Sequence, residues 1–220
     1  MRSYLKALIF DLDGTLADTI PAIAEAVNMT LSEMGFPTHS IDEIKSYIGK
    51  GPRYLISEAL PKDVRESQPE IIDKALAIYH KAYSKTYLNT DALYDGMKEA
   101  LITLSKYYKI AVLSNKQDEY VKKLVKQLLP EGICVLACGT VNGIPAKPDP
   151  TIALKMAEEL QVEHYECMLI GDSDIDILTA ENAGFDILSV TWGYVSKAKL
   201  LIKGAQDIVD SPSELVEYFE

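Results

Sequence analysis

The chain has 220 residues, which is enough for one domain or for one domain carrying an insertion. Its hydrophobic content of 48% is ordinary for a folded globular protein. Its net charge of −11 argues against nucleic-acid binding, which needs a basic face. Cys134, Cys138 and Cys167 form no CxxC pair, so neither a disulfide framework nor a zinc site is expected. No signal peptide or membrane segment is visible, and we expect a cytoplasmic protein without a membrane partner.

Short apolar runs alternate with amphipathic segments along most of the chain, and this alternation predicts an α/β fold with a mainly parallel sheet. Most of the predicted strands lack polar alternation, as is typical of strands that helices cover on both faces. The predicted strands are Ala7–Phe10, Ile110–Leu113, Ile133–Ala137, Cys167–Ile170 and Ile187–Thr191. Apolar residues at helical spacing lie between them.

Residues 18–85 break this rhythm, because they show helical periodicity and no convincing strand. Thr19 is placed to cap a helix with Pro21 in its first turn. Further helical stretches are expected near Ile41–Ile48, Arg53–Leu60 and Val64–Tyr87. We therefore predict a Rossmann-like core of residues 1–17 and 86–220, with a small all-helical domain of residues 18–85 inserted after the first strand.

Polar residues follow four of the predicted strands. Ligands of open parallel sheets bind at the carboxyl ends of the strands, near the point where strand order reverses, so these residues are expected to meet at one edge. They are Asp11 and Asp13 after the first strand, Ser114, Asn115 and Lys116 after the second, Lys147 and Asp149 after the third and a loop, and Asp172, Asp174 and Asp176 after the fourth.

Each of these residues also has an ordinary structural explanation. Asp and Gly are common turn residues, Ser114 is placed to cap a helix, and a single lysine such as Lys147 is usually solvated. A calcium loop fails, because Ile177 and Ala183 stand where an EF-hand loop that starts at Asp172 needs glycine and glutamate. The joint placement of the polar residues after successive strands nevertheless favours a functional site.

The sequence resembles the haloacid dehalogenase superfamily, and within it the phosphatases with a small helical cap, especially the phosphoglycolate phosphatases. The resemblance covers nearly the whole chain, and the helical insertion lies where that family has its cap domain. The matching segments are Asp11-Leu12-Asp13-Gly14-Thr15, Ser114-Asn115-Lys116, Lys147-Pro148-Asp149-Pro150, Gly171-Asp172-Ser173 with Asp176, and Thr191-Trp192-Gly193-Tyr194.

The resemblance implies a magnesium-dependent phosphatase. Mg²⁺ would be held by Asp11, by Asp172 and by the backbone carbonyl of Asp13, with Asp176 as outer-shell support. Asp11 would be the nucleophile that forms an aspartyl-phosphate, and Asp13 would act first as general acid and then as general base.

The resemblance also implies the groups that bind the phosphate and the rest of the substrate. Lys147 would stabilise the transferring oxygens, which Ser114 and the amide of Asn115 would hydrogen-bond. The segment from Tyr47 to Arg53 resembles the cap loop that faces the active site in relatives. Lys50 or Arg53 in it would pair with the far end of an acidic substrate, or would simply be solvated cations near a helix end.

The expected partner is a small phosphorylated metabolite, with 2-phosphoglycolate the best single candidate. A phosphomutase of the β-phosphoglucomutase type, an inorganic pyrophosphatase and a non-catalytic binding module are the alternatives. Thr15 favours hydrolysis, because the related mutases usually have an apolar residue at that place. The sequence leaves open whether the protein is a monomer or a homodimer.

Overall fold

The computed structural model describes residues 4–89 and 93–220 and divides into two compact units. The first unit comprises Met1–Asp18 and Ala92–Glu220, and the second comprises Thr19–Asp91. Whether the two units act as a catalytic core and a cap domain, with the predicted boundaries at 18 and 85, stays a prediction. Within the described ranges, no helix is both long and apolar enough to cross a membrane.

The first unit is built on a parallel sheet with the strand order β3-β2-β1-β4-β5-β6. The described strands are β1 (Ala7–Phe10), β2 (Lys109–Gln117), β3 (Cys134–Thr140), β4 (Cys167–Gly171), β5 (Asp186–Val190) and β6 (Ile208–Val209). The chain adds β2 and β3 on one side of β1 and then adds β4 to β6 on its other side. The strand order therefore reverses between β1 and β4, which is where ligands bind in open sheets.

Helices account for most of the remaining described residues. They are α1 (Ile20–Glu33), α2 (Ile41–Lys45), α3 (Pro52–Ala59), α4 (Lys62–Ser67), α5 (Ile71–Thr86), α6 (Met97–Leu104), α7 (Asp118–Leu128), α8 (Thr151–Glu159), α9 (Asp174–Ala183), α10 (Lys197–Ile202) and α11 (Pro212–Phe219). A short 3₁₀ helix, His164–Glu166, precedes β4. The predicted α/β fold class with a Rossmann-like parallel sheet is confirmed.

The strands beside the reversal point are buried along their whole length. Every residue of β1 and β4 is buried, and Ile9 and Leu169 pack in one cluster with Ile152 and Met156 of α8. Burying an aliphatic side chain of this size stabilises the fold by about 1.5–3 kcal/mol. This packing explains why the sequences of β1 and β4 are unbroken apolar runs. It also fixes the position of the polar residues that follow each strand.

The five predicted strands are present: β1 has the predicted ends, and the ends of the other four are shifted. Strand β2 continues to Gln117, so Ser114 to Lys116 lie inside the strand and not after it. The register against β3 shifts between Leu113 and Gln117, so the pairing of the two strands is irregular over this polar extension. Strand β6 was missed because two residues carry no recognisable alternation.

The secondary structure that the structure describes in the second unit is helical, from α1 to α5, with loops between the helices. Pro21 lies in the first turn of α1, as predicted, but the side chain of Thr19 makes no capping hydrogen bond. Its backbone is already helical, so its hydroxyl is not directed at the first free N–H groups. The prediction of one helical stretch over Val64–Tyr87 was wrong, because the chain leaves α4 at Ser67 and starts α5 only after Pro69.

Candidate active site

Asp11 directly follows β1, and its backbone is tied to β4. Its N–H donates to the carbonyl oxygen of Ile170 (2.9 Å). Its carboxylate Oδ1 accepts hydrogen bonds from the backbone N–H of Leu12 (2.7 Å) and from Nζ of Lys147 (3.0 Å). The side chain is therefore held in one orientation at the reversal point, with one oxygen engaged by two donors.

Lys147 is a buried cation between two carboxylates. Its Nζ lies 3.0 Å from Oδ1 of Asp11 and 2.6 Å from Oδ1 of Asp176. Burial alone would lower the pKa of Lys147, but the two carboxylates outweigh that effect and raise the pKa above its usual value. Lys147 is therefore a permanently charged group, and a solvated surface lysine is excluded.

Asp176 stands in the first turn of α9 and closes a capping box. Its Oδ2 accepts hydrogen bonds from the N–H (3.1 Å) and the hydroxyl (2.6 Å) of Ser173, and its own N–H faces the Ser173 hydroxyl. Gly171 makes room for this side chain, since a Cβ there would collide with the Asp176 carboxyl group. Asp176 therefore connects Lys147 to the start of α9.

Asp172 follows β4 and is enclosed by two glycines. Its Oδ1 accepts from the hydroxyl of Thr15 (3.2 Å) and its Oδ2 from the backbone N–H of Tyr194 (2.7 Å). A Cβ on Gly14 would lie 2.6 Å from Asp172 Oδ2, and one on Gly193 would collide with the same atom. Only glycine at these two positions allows the backbone to approach the carboxylate this closely.

Burial disfavours negative charge on the clustered carboxylates. It raises the pKa of Asp172 to about 7, helped by the charge of Asp176 and opposed by the hydrogen bonds from Tyr194 and Thr15. Burial also raises the pKa of Asp11 well above its usual range, although the charge of Lys147 opposes that shift. A positive charge beside these groups is therefore needed to keep them ionised at neutral pH.

Asp13 has a lysine partner of its own. Nζ of Lys116 lies 3.0 Å from Oδ1 of Asp13, and both side chains are largely buried. The sequence placed Lys116 in a motif but gave it no role. The available signal was a lysine three residues after the apolar run Ile110–Leu113, at a strand end that was already expected to carry functional groups.

Ser114 and Asn115 lie at the same strand end. Ser114 is buried, and its hydroxyl oxygen accepts the N–H of Lys116 (3.2 Å). The side-chain amide of Asn115 donates to the carbonyl oxygen of Lys147 (2.9 Å), which fixes the loop carrying that lysine. The structure therefore brings both predicted phosphate-binding residues to the site and gives the Asn115 side chain a supporting contact that the sequence did not suggest.

The segment after β5, Thr191 to Tyr194, contacts the residues around Asp11 and Asp172. The indole N–H of Trp192 donates to the carbonyl oxygen of Thr15 (3.0 Å), and the hydroxyl of Tyr194 contacts Asp18 Oδ1 (3.2 Å). Sequence reasoning noted this segment as a resemblance only. Its contacts hold the loop that follows Asp11 and place the Tyr194 N–H on Asp172.

Lys50 and Arg53 belong to the second unit. Nζ of Lys50 lies 4.7 Å from the ring centroid of Tyr54, and Arg53 forms an exposed ion pair with Asp73. These contacts lie within that unit, and contact of Lys50 or Arg53 with a substrate stays a prediction.

The donor set suits a hard divalent cation. One carboxylate oxygen from each of Asp11, Asp172 and Asp176 lies within 4.8 Å of the others. With Asp13 added, four carboxylates face only two lysines, which leaves two negative charges uncompensated when all are ionised. Mg²⁺ prefers oxygen ligands and supplies two positive charges, so the residues present fit this ion.

The metal ligands expected from the resemblance overlap this cluster only in part. Asp11 and Asp172 belong to both sets. Asp176 was expected in the outer shell, and its ion pair with Lys147 and its capping contacts already engage both of its oxygens. The side chain of Asp13 is paired with Lys116, so its expected ligand atom remains the backbone carbonyl.

Comparison with known proteins identifies the family. The sequence matches the family described as haloacid dehalogenase-like hydrolase over residues 8–190, which is most of the chain. The chain belongs to this family of hydrolases. The four segments that carry Asp11, Ser114, Lys147 and Asp172 lie inside the matched range, and the fifth segment, Thr191 to Tyr194, follows directly after it.

Individual relatives indicate which class of hydrolase the chain belongs to. A phosphoglycolate phosphatase from Aquifex aeolicus is 33% identical over 216 residues, covering 98% of this chain and 97% of that protein. One from Psychrobacter arcticus is 32% identical over 218 residues, covering 97% and 95%. The structure of a haloacid dehalogenase-like family hydrolase from Streptococcus pneumoniae superposes with a TM-score of 0.88 at 26% identity, covering 99% and 100%. The predicted enzyme class, a phosphoric monoester hydrolase, is confirmed.

Proposed function

We propose that this chain is a magnesium-dependent phosphatase that hydrolyses a small anionic phosphomonoester, with 2-phosphoglycolate as the best candidate. The observation that carries the proposal is the placement of Asp11 at the reversal point of the sheet, with Lys147 on one carboxylate oxygen and Asp172 in the same cluster. The names of the two phosphatase relatives support the choice of substrate.

Asp11 is the proposed nucleophile. Its Oδ1 is occupied by the Leu12 N–H and by Lys147, so Oδ2 is the oxygen that attacks phosphorus. The attack forms an aspartyl-phosphate and divides one slow displacement into two easier ones. A carboxylate attacking a phosphate dianion needs positive charge nearby, and Lys147 provides it at a fixed position.

Asp13 is the proposed proton carrier. It donates a proton to the departing alcohol oxygen and later takes a proton from the water that hydrolyses the aspartyl-phosphate. The hydroxyl of Ser114 and the backbone amide of Asn115, at the end of β2, hydrogen-bond the transferring oxygens. With Lys147 these groups bind and orient the phosphoryl group.

The metal is proposed to be Mg²⁺, held by Asp11, by Asp172 and by the backbone carbonyl of Asp13. When bound, it neutralises the excess negative charge and polarises the phosphoryl oxygens. Asp176 supports the arrangement by holding Lys147.

The second unit is proposed to be a cap domain that selects the substrate, with Lys50 or Arg53 pairing with its distal acidic group. We further propose that the enzyme works in the cytoplasm, where the three free thiols of Cys134, Cys138 and Cys167 persist. The burial that raises the pKa of Cys134 to about 11 makes that thiol a weak nucleophile, so catalysis is assigned to the carboxylates.

The first test is a phosphate-release screen over 2-phosphoglycolate, pyrophosphate, sugar phosphates and nucleotides, with and without a chelator. We expect the highest kcat/KM with 2-phosphoglycolate and no turnover with the chelator. Transfer between sugar positions with little free phosphate would instead indicate a mutase.

The second test is Asp11→Asn, which removes the nucleophile with little change of shape. Removal of a covalent nucleophile costs several orders of magnitude, so we expect less than roughly a hundredth of wild-type turnover. The matched control is Asp210→Asn, a surface carboxylate that pairs with Lys197. Asp11 is not the nucleophile if Asp11→Asn keeps more activity than that threshold.

A further inference from the structure

Lys116 is a buried lysine without an assigned role. Its side chain is 7% exposed, and its Nζ lies 3.0 Å from Oδ1 of Asp13, whose side chain is 12% exposed. An ammonium group is strongly hydrated, so burying it costs several kcal/mol unless a well-placed partner offsets the loss. Asp13 is such a partner for Lys116, so the position of this lysine depends on its ion pair with Asp13.

The backbone holds Lys116 at a defined place. Its N–H donates to the hydroxyl of Ser114 (3.2 Å), and its carbonyl oxygen accepts from the hydroxyl of Thr140 on β3 (3.3 Å). Gly139 permits this approach of β3, because a Cβ there would lie 2.5 Å from the Lys116 carbonyl oxygen. The backbone of Lys116 is therefore held by the sheet and not by a flexible loop.

The nucleophile and the proton carrier have the same arrangement. Oδ1 of Asp11 faces Lys147 and Oδ1 of Asp13 faces Lys116, each at 3.0 Å. A lysine ammonium donates three hydrogen bonds and accepts none, so it keeps its contact with Oδ1 whether or not Oδ2 carries a proton. In each carboxylate the lysine therefore assigns the chemistry to Oδ2.

We propose that Lys116 is a positioning residue that fixes which oxygen of Asp13 carries the proton and where that oxygen lies. The inference rests on the proposed function, because it concerns the proton transfer of that reaction. In the first step the bond from phosphorus to the alcohol oxygen breaks, the bond from Asp11 Oδ2 to phosphorus forms, and the proton on Asp13 Oδ2 moves to the alcohol oxygen. In the second step water attacks phosphorus, the bond to Asp11 breaks, and the proton lost by water returns to Asp13 Oδ2.

This role predicts a dependence on the leaving group. An alkyl phosphate such as 2-phosphoglycolate releases a strongly basic alkoxide and needs the proton, whereas p-nitrophenyl phosphate releases a stable phenolate and hardly needs it. The ratio kcat/KM reports the steps up to release of the alcohol, so hydrolysis of the aspartyl-phosphate does not enter it. A lysine that only maintained the shape of the site would affect both substrates alike.

The test compares Lys116→Met and Lys116→Arg with the wild type on both substrates. General acid catalysis typically contributes about 10²–10⁴-fold, so we expect kcat/KM of Lys116→Met to fall by about tenfold to a hundredfold with 2-phosphoglycolate. With p-nitrophenyl phosphate the kcat/KM of Lys116→Met should fall by less than about threefold, because the phenolate leaves with little help from a general acid. Lys116→Arg keeps the cation and should recover part of the loss. The matched control, Lys155→Met on the exposed face of α8, should change neither value.

A double variant provides the second criterion. Asp13→Asn should show the same split between the substrates, and Lys116→Met should cost nothing further in that background, because residues that act through one another are not additive. Equal losses on both substrates, or losses that add, would overturn the inference.

If Lys116→Met fails to fold, as circular dichroism would reveal, Lys116→Gln keeps a donor without the charge and gives the same comparison. A wild-type enzyme that hydrolyses neither substrate would instead refute the proposed function.

Discussion

The ammonium nitrogen of Lys147 lies 2.6 Å from Oδ1 of Asp176, and neither side chain is more than 3% exposed. This ion pair joins the loop after β3 to the first turn of α9. It also holds Lys147 against the nucleophile Asp11 proposed above. The pair therefore fixes the geometry of the site, and loss of one partner would leave the other charge buried without its counterpart.

Asp176→Ala is expected to be strongly destabilising. It leaves a buried lysine with one carboxylate fewer and removes the acceptor of the Ser173 capping box. Breaking a buried ion pair typically costs about 3–5 kcal/mol, which urea denaturation can measure. The control is Glu119→Ala, which breaks an exposed pair with Lys123 and should cost less than about 1 kcal/mol. Similar losses in the two variants would contradict the importance given to this pair.

The metal-free protein should lose stability as pH rises from 3.8 to about 7, with no further loss from Asp172 above that pH. The pKa of Asp172 is raised from 3.8 to about 7 in the folded state, so its protonated form is favoured there. Its contribution to stability is fully present below the unfolded value and is lost as pH rises through the folded pKa. Mg²⁺ offsets the ionised carboxylates, and we expect the Tm gain on adding Mg²⁺ to be larger at pH 8 than at pH 6.

The matched variant for this experiment is Asp172→Asn. It removes one of the titrating groups and one proposed ligand while Asp11 remains, so the Tm gain with Mg²⁺ should be smaller than in the wild type and should depend less on pH. A wild-type gain of equal size at both pH values would show that proton release from this site is not coupled to metal binding.

Gly193→Ala should impair catalysis more than folding. The added Cβ would collide with Oδ2 of Asp172 and with the carbonyl oxygen of Gly14. A displacement of about 1 Å at a reacting group can cost about 10²-fold in rate, so we expect a loss of that order in kcat. Gly204→Ala is the control: its φ of +96° is strained for alanine, but nothing lies within 4 Å of its Cβ. That variant should lose about 1–2 kcal/mol of stability and keep its kcat.

Lys50→Ala tests the proposed specificity of the second unit. A charge-assisted hydrogen bond contributes about 1.5–3 kcal/mol, so kcat/KM for 2-phosphoglycolate should fall by roughly tenfold or more. A phosphate ester without a second charge should be hydrolysed as before. The control Lys62→Ala removes another exposed lysine of the same unit and should have no effect. Equal losses on both esters would exclude a pairing between Lys50 and the substrate carboxylate.

The meeting of Asp11 with Asp172 could be predicted from the sequence. Both follow apolar runs that are too short for helices, and the rule for open parallel sheets brings such strand ends together at the reversal point. The strand pattern also placed Lys147 at this edge, although a loop separates it from the end of β3, and its role in binding phosphate came only from the resemblance.

Other contacts of the site could not be predicted from the sequence. The donor from Tyr194 to Asp172 is a backbone N–H, which every residue except proline has, so its identity says nothing about the contact. The pairing of Lys116 with Asp13 depends on the extension of β2 beyond its apolar run and on its register shift against β3. Pro69 indicates the break before α5, because proline cannot continue a helix, but apolar residues keep helical spacing on both sides of it.

The contact between the Tyr194 N–H and Asp172 also concerns the order in which the protein is made. Synthesis proceeds from the N-terminus, so Asp11 and Asp172 are both translated before Tyr194. A growing chain would therefore carry these two carboxylates without their complete surroundings until the segment with Tyr194 has been added. The proposed hydrolytic activity would arise only after that segment has folded onto Asp172.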